Sequence, residues 1–469
     1  MLAKALLLTM YLQHIMLCLT AFIGLSTCNR VYVHPFNLLA YNKSECDKME
    51  SQDHSDEKMF SPTAIESKDN AEEKKIQVEA EDFGSAERYL VPLIGDLSFR
   101  AVDGLWKLHK TETILISYTD FFRTIMSFYH GASGNTSTSL QTFLGLRHPL
   151  GFTNCTSKVN GINIFSKLKS IDQAFCSKDS ISTTHRRTAF IFVSPNVPLS
   201  ENFVHGLTLN VDSLYVRAVD FKDSAKAVKS INEFLELILP ANTKTGLTSI
   251  DGTTNFMYSS HVHFKGKVAN SYLIPNRQPF WIGPNNVVLV PMISVSGMFA
   301  IIEDITTNQL LIKIPLCDND FLLLAQPING NTLENIESSM GWGTYLNWID
   351  TLYKSQKRYI NLIIPKLKIE LSYNIQDVLS SINVFELLGK NADFSKMSKA
   401  DINVGKVINT VDFELEESDA ESNGENNATE SKEKPMEVKL NKPFILALCE
   451  GTSKSQLLLG RVVHPTNSI

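Results

Sequence analysis

Val411-Asp-Phe413, then Glu414-Leu-Glu-Glu-Ser-Asp-Ala-Glu-Ser-Asn-Gly-Glu-Asn-Asn-Ala-Thr-Glu-Ser-Lys-Glu-Lys434, then Pro443-Phe-Ile-Leu446 form the stretch that decides the fold. Its two ends are apolar and rich in strand-forming residues. Residues 414–438 between them are almost all solvent-seeking. The simplest arrangement is a long exposed loop joining two strands, with Phe444 to Leu448 as the receiving strand. Loops of that length in a compact domain are uncommon, and are functional or disordered where they occur.

Around this stretch lies a body with the composition of a packed protein. The 469 residues are 43% hydrophobic and 20% charged, with a net charge of -6. This balance excludes a strongly basic nucleic-acid binder and a wholly disordered chain. Tyr89 to His109 carries Leu93, Leu97, Ala101 and Leu105 four apart, the spacing of a helix. Asp120 to Phe128 gives a second apolar helix before Gly131. Ala189 to Val193, Val287 to Val295 and Leu310 to Leu316 are rich in β-branched or apolar residues and read as strands. Helices and strands mix without regular alternation, so the fold class is α+β.

The N-terminal region reads differently. Residues 1–28 have one charge, Lys4, then apolar runs and the small residues Ser26-Thr27-Cys28, the layout of a secretory signal peptide. Residues 29–38 form a short segment with few charges, and 39–84 a mobile acidic arm with few large apolar residues. The packed domain occupies 85–469. Four sequons, at Asn42, Asn135, Asn154 and Asn427, agree with export as a glycoprotein. Cys18 and Cys28 leave with the signal, and the odd number that remains (Cys46, Cys155, Cys176, Cys317 and Cys449) leaves at least one thiol without an intramolecular partner.

Catalytic signatures are missing. There is no P-loop, no GxSxG and no HExxH. His261-Val-His263 alternates like a strand and could hold a metal with a third ligand, but reads first as two histidines on one face of a half-buried strand, and Cys449 follows an apolar run as a small buried hydrophobe rather than a nucleophile. The expectation is a protein that is not an enzyme, with no catalytic residue, no cofactor and no metal.

Several short blocks then appear in a fixed order: Gly131-Ala-Ser-Gly-Asn-Thr136, Ile231-Asn-Glu-Phe234, Thr245-Gly246, His263-Phe-Lys-Gly266, Val290-Pro-Met292 with Gly297 and Phe299, Pro365-Lys-Leu367, Asp377-Val-Leu379, Asn441-Lys-Pro-Phe444, and Leu459-Gly-Arg-Val462 with Pro465. This order resembles the serpin family. The resemblance implies three β-sheets, about nine helices and one exposed reactive-centre-like loop, here about 414–438. An inhibitory serpin inserts its cleaved loop as a new central strand. Continuing the apolar parity of Val411, Phe413 and Leu415 gives Glu417, Asp419, Glu421, Asn423 and Glu425. Burying unpaired carboxylates costs several kcal/mol each. The expectation is a serpin that does not inhibit; the alternative is an inhibitor that traps a serine protease at a bond near Ser431 to Glu433.

Asn29-Arg-Val-Tyr-Val-His-Pro-Phe-Asn-Leu38 resembles a vasoactive peptide hormone that renin, an aspartic protease, releases from a serpin-family precursor. Many relatives have Asp and His where this chain has Asn29 and Asn37. The resemblance implies renin cleavage between Leu38 and Leu39, then removal of Asn37-Leu38 by a converting dipeptidyl carboxypeptidase cutting after Phe36. It implies a receptor that reads Arg30, Tyr32, His34 and the new carboxylate on Phe36. Pro35 biases His34 toward the extended backbone that a long protease cleft accepts. The resemblance further implies a Cys46–Cys155 disulfide, which would leave Cys176, Cys317 and Cys449 unpaired. The implied setting is extracellular, in plasma, with no nucleic-acid partner and no membrane insertion once the signal is removed.

Overall fold

The computed structural model of the chain describes residues 34, 36–51, 57–65, 86–151, 154–175, 183–240, 243, 247–317, 320–418 and 435–465. The proposed signal segment, Arg30, Tyr32, Pro35, Thr245-Gly246, Cys176 and Asn427 lie outside them.

A six-stranded sheet forms the centre. Its order is Leu367–Asn374, Val404–Glu417, Phe256–Val268, Thr183–Val193, Ser213–Ala218 and the short Thr63–Ala64. Val404–Glu417 runs parallel to Phe256–Val268: Val404 lies opposite Phe256, the register shifts once before Val407, and it then runs unbroken from Val407 opposite Tyr258 to Glu417 opposite Val268. A nine-stranded sheet makes up most of the rest, eight strands along one path with Ser271–Leu273 added beside Met292–Asp304. The long strand Met292–Asp304 joins its two halves: residues 292–300 pair with Lys357–Pro365, and 300–304 with Gln309–Cys317. With the central sheet, these two halves account for the three sheets expected. The expected strand Val287 to Val295 is divided at Pro291 into Asn286–Val290 and Met292–Asp304, because proline has no N–H to donate to a ladder.

The described residues hold eleven α-helices. Nine of them, from Glu87–Leu108 to Ile375–Ser381, belong to the body, and two precede it. Leu97, Ala101 and Leu105 of Glu87–Leu108 are buried, as their spacing requires. Tyr118–Gly131 is buried almost throughout, capped by the Ser117 hydroxyl, which accepts from the Asp120 N–H.

Two of the blocks that carry the family resemblance have mechanical roles. Gly134 adopts a φ of 50°, which suits glycine, at the turn between Tyr118–Gly131 and Gly134–Phe143. Beside it the Ser133 N–H donates to the Asp393 carbonyl at 2.9 Å, and the Asp393 N–H donates to Thr136 Oγ1 at 2.8 Å. At Gly460 any Cβ would collide with the Ile114 carbonyl of the neighbouring strand. Arg461 next to it is buried and paired with Glu337 at 2.8 Å.

The loop at 414–438 is shorter than expected at both ends. Glu414–Glu417 continue the strand, and Met436–Lys439 form a strand parallel to Lys357–Pro365. Direct cross-strand partners neutralise these acidic residues, so they need not leave the sheet. The core of the loop, 419–434, lies outside the described residues.

The arm also differs from expectation. Phe36–Leu39 and Lys43–Ser51 are helices. Met59–Phe60 pairs with Leu199–Ser200, and Thr63–Ala64 adds an edge strand to the central sheet. Local caps and anchors order these stretches, and composition does not report such devices.

Candidate functional site

The Leu38–Leu39 bond sits at the end of the four-residue helix Phe36–Leu39. Leu39 is 1% exposed and Phe36 6%, while Leu38 is half-buried and Asn37 exposed. Both buried side chains join the main core. The Phe36 ring meets His148 edge to face at 4.6 Å. The Phe36 N–H lies 3.2 Å from His34 Nδ1, and the Asn37 N–H donates to the His34 carbonyl at 2.9 Å. The bond is therefore in a helical turn rather than extended. The physical reason is burial: docking Phe36 and Leu39 removes two large apolar side chains from water, worth roughly 3–6 kcal/mol together.

A strip of the body receives the next residues. The Asn160 N–H donates to the Leu39 carbonyl at 2.8 Å, and the Tyr41 N–H donates to the Lys158 carbonyl at 3.1 Å. Between them Ala40 forms an isolated antiparallel bridge with Val159. The helix Lys43–Ser51 follows at once. Asn42 Oδ1 accepts from the Glu45 N–H at 2.9 Å, and the Asn42 N–H donates to Glu45 Oε2 at 3.1 Å. This reciprocal cap places Cys46 one turn in, buried and disulfide-bonded to Cys155, with Cα atoms 5.6 Å apart and a sequence separation of 109.

Cys317 is also disulfide-bonded, which corrects the expectation that it is unpaired. An odd number of cysteines requires at least one free thiol, and among the described residues Cys449 is one. Burial pushes it up to about 12, so it stays protonated.

The sequons at Asn42, Asn135 and Asn154 are exposed. Asn154 Oδ1 accepts from the Ser157 N–H at 3.1 Å and from the Thr156 hydroxyl at 3.0 Å. Ser137, the third residue of the Asn135 sequon, is buried. His261 and His263 stack at 6.5 Å between ring centroids. Burial pushes His261 down to about 4, while His263 Nδ1 pairs with Asp412 at 2.8 Å. Among the described residues no group of three His, Cys, Asp or Glu side chains could hold a metal. No helix among them is long and apolar enough to cross a membrane.

The strand leading into the loop carries a ladder of charge. Asp412 faces His263, and Glu414 faces both Lys265 on one neighbouring strand and Lys368 on the other. The distances from Glu414 to these lysines are 3.3 and 2.8 Å. Lys265 also reaches Glu416 at 2.9 Å, and Lys366 reaches Glu417 at 3.0 Å. Burial pushes the Glu414 carboxyl up, but Lys368 and Lys265 outweigh it and hold the group below its ordinary value.

The strip Lys158–Asn160, the helical turn over Leu38–Leu39 and the ladder were missed from sequence. Asn42-Lys-Ser-Glu45 carried a signal: it reads as a capping box as well as a sequon.

The serpin (serine protease inhibitor) family model matches residues 93–465. The chain is 32% identical to angiotensinogen of Bos taurus, covering 96% of this chain and 97% of that protein. It is 30% identical to angiotensinogen of Homo sapiens, covering 97% and 98%. Its fold is similar to human thyroxine-binding globulin, with a TM-score of 0.68 at 18% identity over 81% of this chain and 100% of the other. Human glycosylated kallistatin gives a TM-score of 0.69 at 18% identity over 82% and 100%. Long strands, buried helix and loop-bearing edge all fall inside the matched span, and the chain belongs to the serpin family.

Proposed function

We propose that the chain is the secreted precursor of an angiotensin-type vasoactive hormone. The carrying observation is its similarity to angiotensinogens over nearly the full length of both chains, including the N-terminal region that the family model leaves out. Renin cuts Leu38–Leu39 and releases Asn29–Leu38. A converting enzyme then removes Asn37-Leu38, leaving Asn29–Phe36 for its receptor, which reads Arg30, Tyr32, His34 and the Phe36 carboxylate. The peptide acts in blood-pressure and fluid regulation.

The geometry supports a substrate that is presented on demand. An aspartic protease binds its substrate extended, so residues 36–41 must leave the body before the bond can enter a cleft. A four-residue helix has little stability of its own. What opposes release is the burial of Phe36 and Leu39, the bridge to Val159 and the Cys46–Cys155 tether. The tether keeps the arm close after each opening, so reducing it favours cleavage. Glycans at Asn42, Asn135, Asn154 and Asn427 belong to this reading, as does a plasma location.

The body is a carrier and not a protease trap. Inserting the loop beside Val404–Glu417 would part this strand from Phe256–Val268. The pairs of Asp412, Glu414 and Glu416 with His263 and Lys265 would break with it. Mass spectrometry after incubation with a matched renin tests the proposal. The expected products are a peptide ending at Leu38 and a body beginning at Leu39. An intact N-terminal region, under conditions where a known substrate is cut, would refute it.

A further inference from the structure

The strip that receives the arm has no sheet of its own. Lys158–Asn160 lies between the 3-10 turn Cys155–Ser157 and the helix Gly161–Ala174. In its bridge with Ala40, the flanking residues make the inter-chain-segment hydrogen bonds. Val159 itself therefore turns its N–H and C=O away from the arm, as the residue of a non-hydrogen-bonded pair does. Both groups point into the body and would be buried without partners. One side chain satisfies them. The Tyr129 hydroxyl, on the buried helix Tyr118–Gly131, donates to the Val159 carbonyl at 3.0 Å and accepts from the Val159 N–H at 3.1 Å. Gln141 pins the same loop nearby, donating to the Leu146 carbonyl at 2.7 Å and the Ser157 carbonyl at 3.0 Å. Those two contacts bracket His148, which holds Phe36, and Cys155, which holds Cys46.

We propose that Tyr129 is a positioning residue for hormone release: by holding Val159 it sets how often the Leu38–Leu39 bond becomes available to the protease. This inference rests on the reading of Leu38–Leu39 as the scissile bond. Tyr129 touches neither that bond nor the protease. Without its hydroxyl, two buried backbone groups are satisfied only when the strip loosens and admits water. Loosening the strip weakens the bridge to Ala40, and the population with a free arm rises.

The test compares the full chain with its Tyr129→Phe variant and with a synthetic peptide of residues 29–42. Hydrogen exchange is read at the Tyr41 and Asn160 amides, with Val262 in the central sheet as the internal standard. Renin cleavage is read as separate kcat and KM. Losing the satisfaction of buried polar groups is expected to speed exchange at Tyr41 and Asn160 by about tenfold. Val262 should be unchanged. KM of the full chain should fall by a similar factor at constant kcat, because the competent fraction alone has changed. Where Tyr129→Phe does not fold, Gln141→Leu, which frees two carbonyls of the same loop, is expected to act in the same direction. Unchanged exchange at both amides, or faster exchange with unchanged KM, would overturn the role of Tyr129. A peptide not cut at Leu38–Leu39 would instead overturn the reading of the scissile bond, since the peptide has no latch.

Discussion

Residues 36–51 and residues 404–417 are both held against a neighbouring segment of the same chain, but by different means. The first is attached at points: two buried side chains, one bridge flanked by two hydrogen bonds, and one disulfide. The second is attached along its whole length, in parallel register with Phe256–Val268, with ion pairs on one face. On the other face lies Asp120, which accepts from Ser260 at 2.5 Å and from Asn409 at 2.9 Å and so bridges both central strands to the helix Tyr118–Gly131. Point attachments open one at a time at modest cost, and a continuous ladder opens all together or not at all. On the proposed reading, a protease can therefore obtain the Leu38–Leu39 bond from a molecule whose central sheet stays closed.

That contrast can be broken most severely at Asp120. Asp120→Ala should destabilise the chain by about 3–5 kcal/mol in urea unfolding, because it leaves Arg187 in the interior without one of its carboxylate partners. A loss under about 1 kcal/mol would mean that the central strands are not tied through this residue. Cys46→Ser with Cys155→Ser should cost about 2–4 kcal/mol in the chain-entropy account of disulfides. It should also speed renin cleavage while leaving the peptide rate as it was. Equal rates for the tethered and untethered chains would remove the tether from the release step.

The smallest effect concerns the ladder. Glu414→Gln should change stability by no more than about 1 kcal/mol, since its lysine partners are partly solvated. Its pH dependence has a definite sign. A carboxyl whose folded value is depressed contributes fully above its ordinary value of 4.5, and the contribution fades as pH falls through the lowered folded value. Between those limits the wild-type chain should lose more stability on acidification than the Glu414→Gln variant. Parallel pH profiles would show that the ladder carries no linkage.

The body was legible in the sequence because its signals are periodic or local. Leu97, Ala101 and Leu105 mark a helix face, and Val411, Phe413 and Leu415 mark the buried parity of a strand that the structure indeed buries. The arm was legible only at its capping box, Asn42-Lys-Ser-Glu45, because the rest of its order comes from contacts far apart in sequence. Leu39 is held by Asn160, Phe36 by His148 and Cys46 by Cys155. The ends of the 414–438 loop misled for a related reason. Glu414 and Glu416 look solvent-seeking alone, and they join the sheet only because Lys265 and Lys368 stand opposite.

On the proposed reading, the Leu38–Leu39 bond is withheld from renin by folding and not by its local sequence. The direct measurement is the ratio of renin cleavage rates for the peptide of residues 29–42 and the intact chain, with both products sequenced. The account predicts the same cut, between Leu38 and Leu39, with the intact chain slower by roughly tenfold or more, given the burial of Phe36 and Leu39. Equal rates, or a cut at another bond in the intact chain, would contradict it.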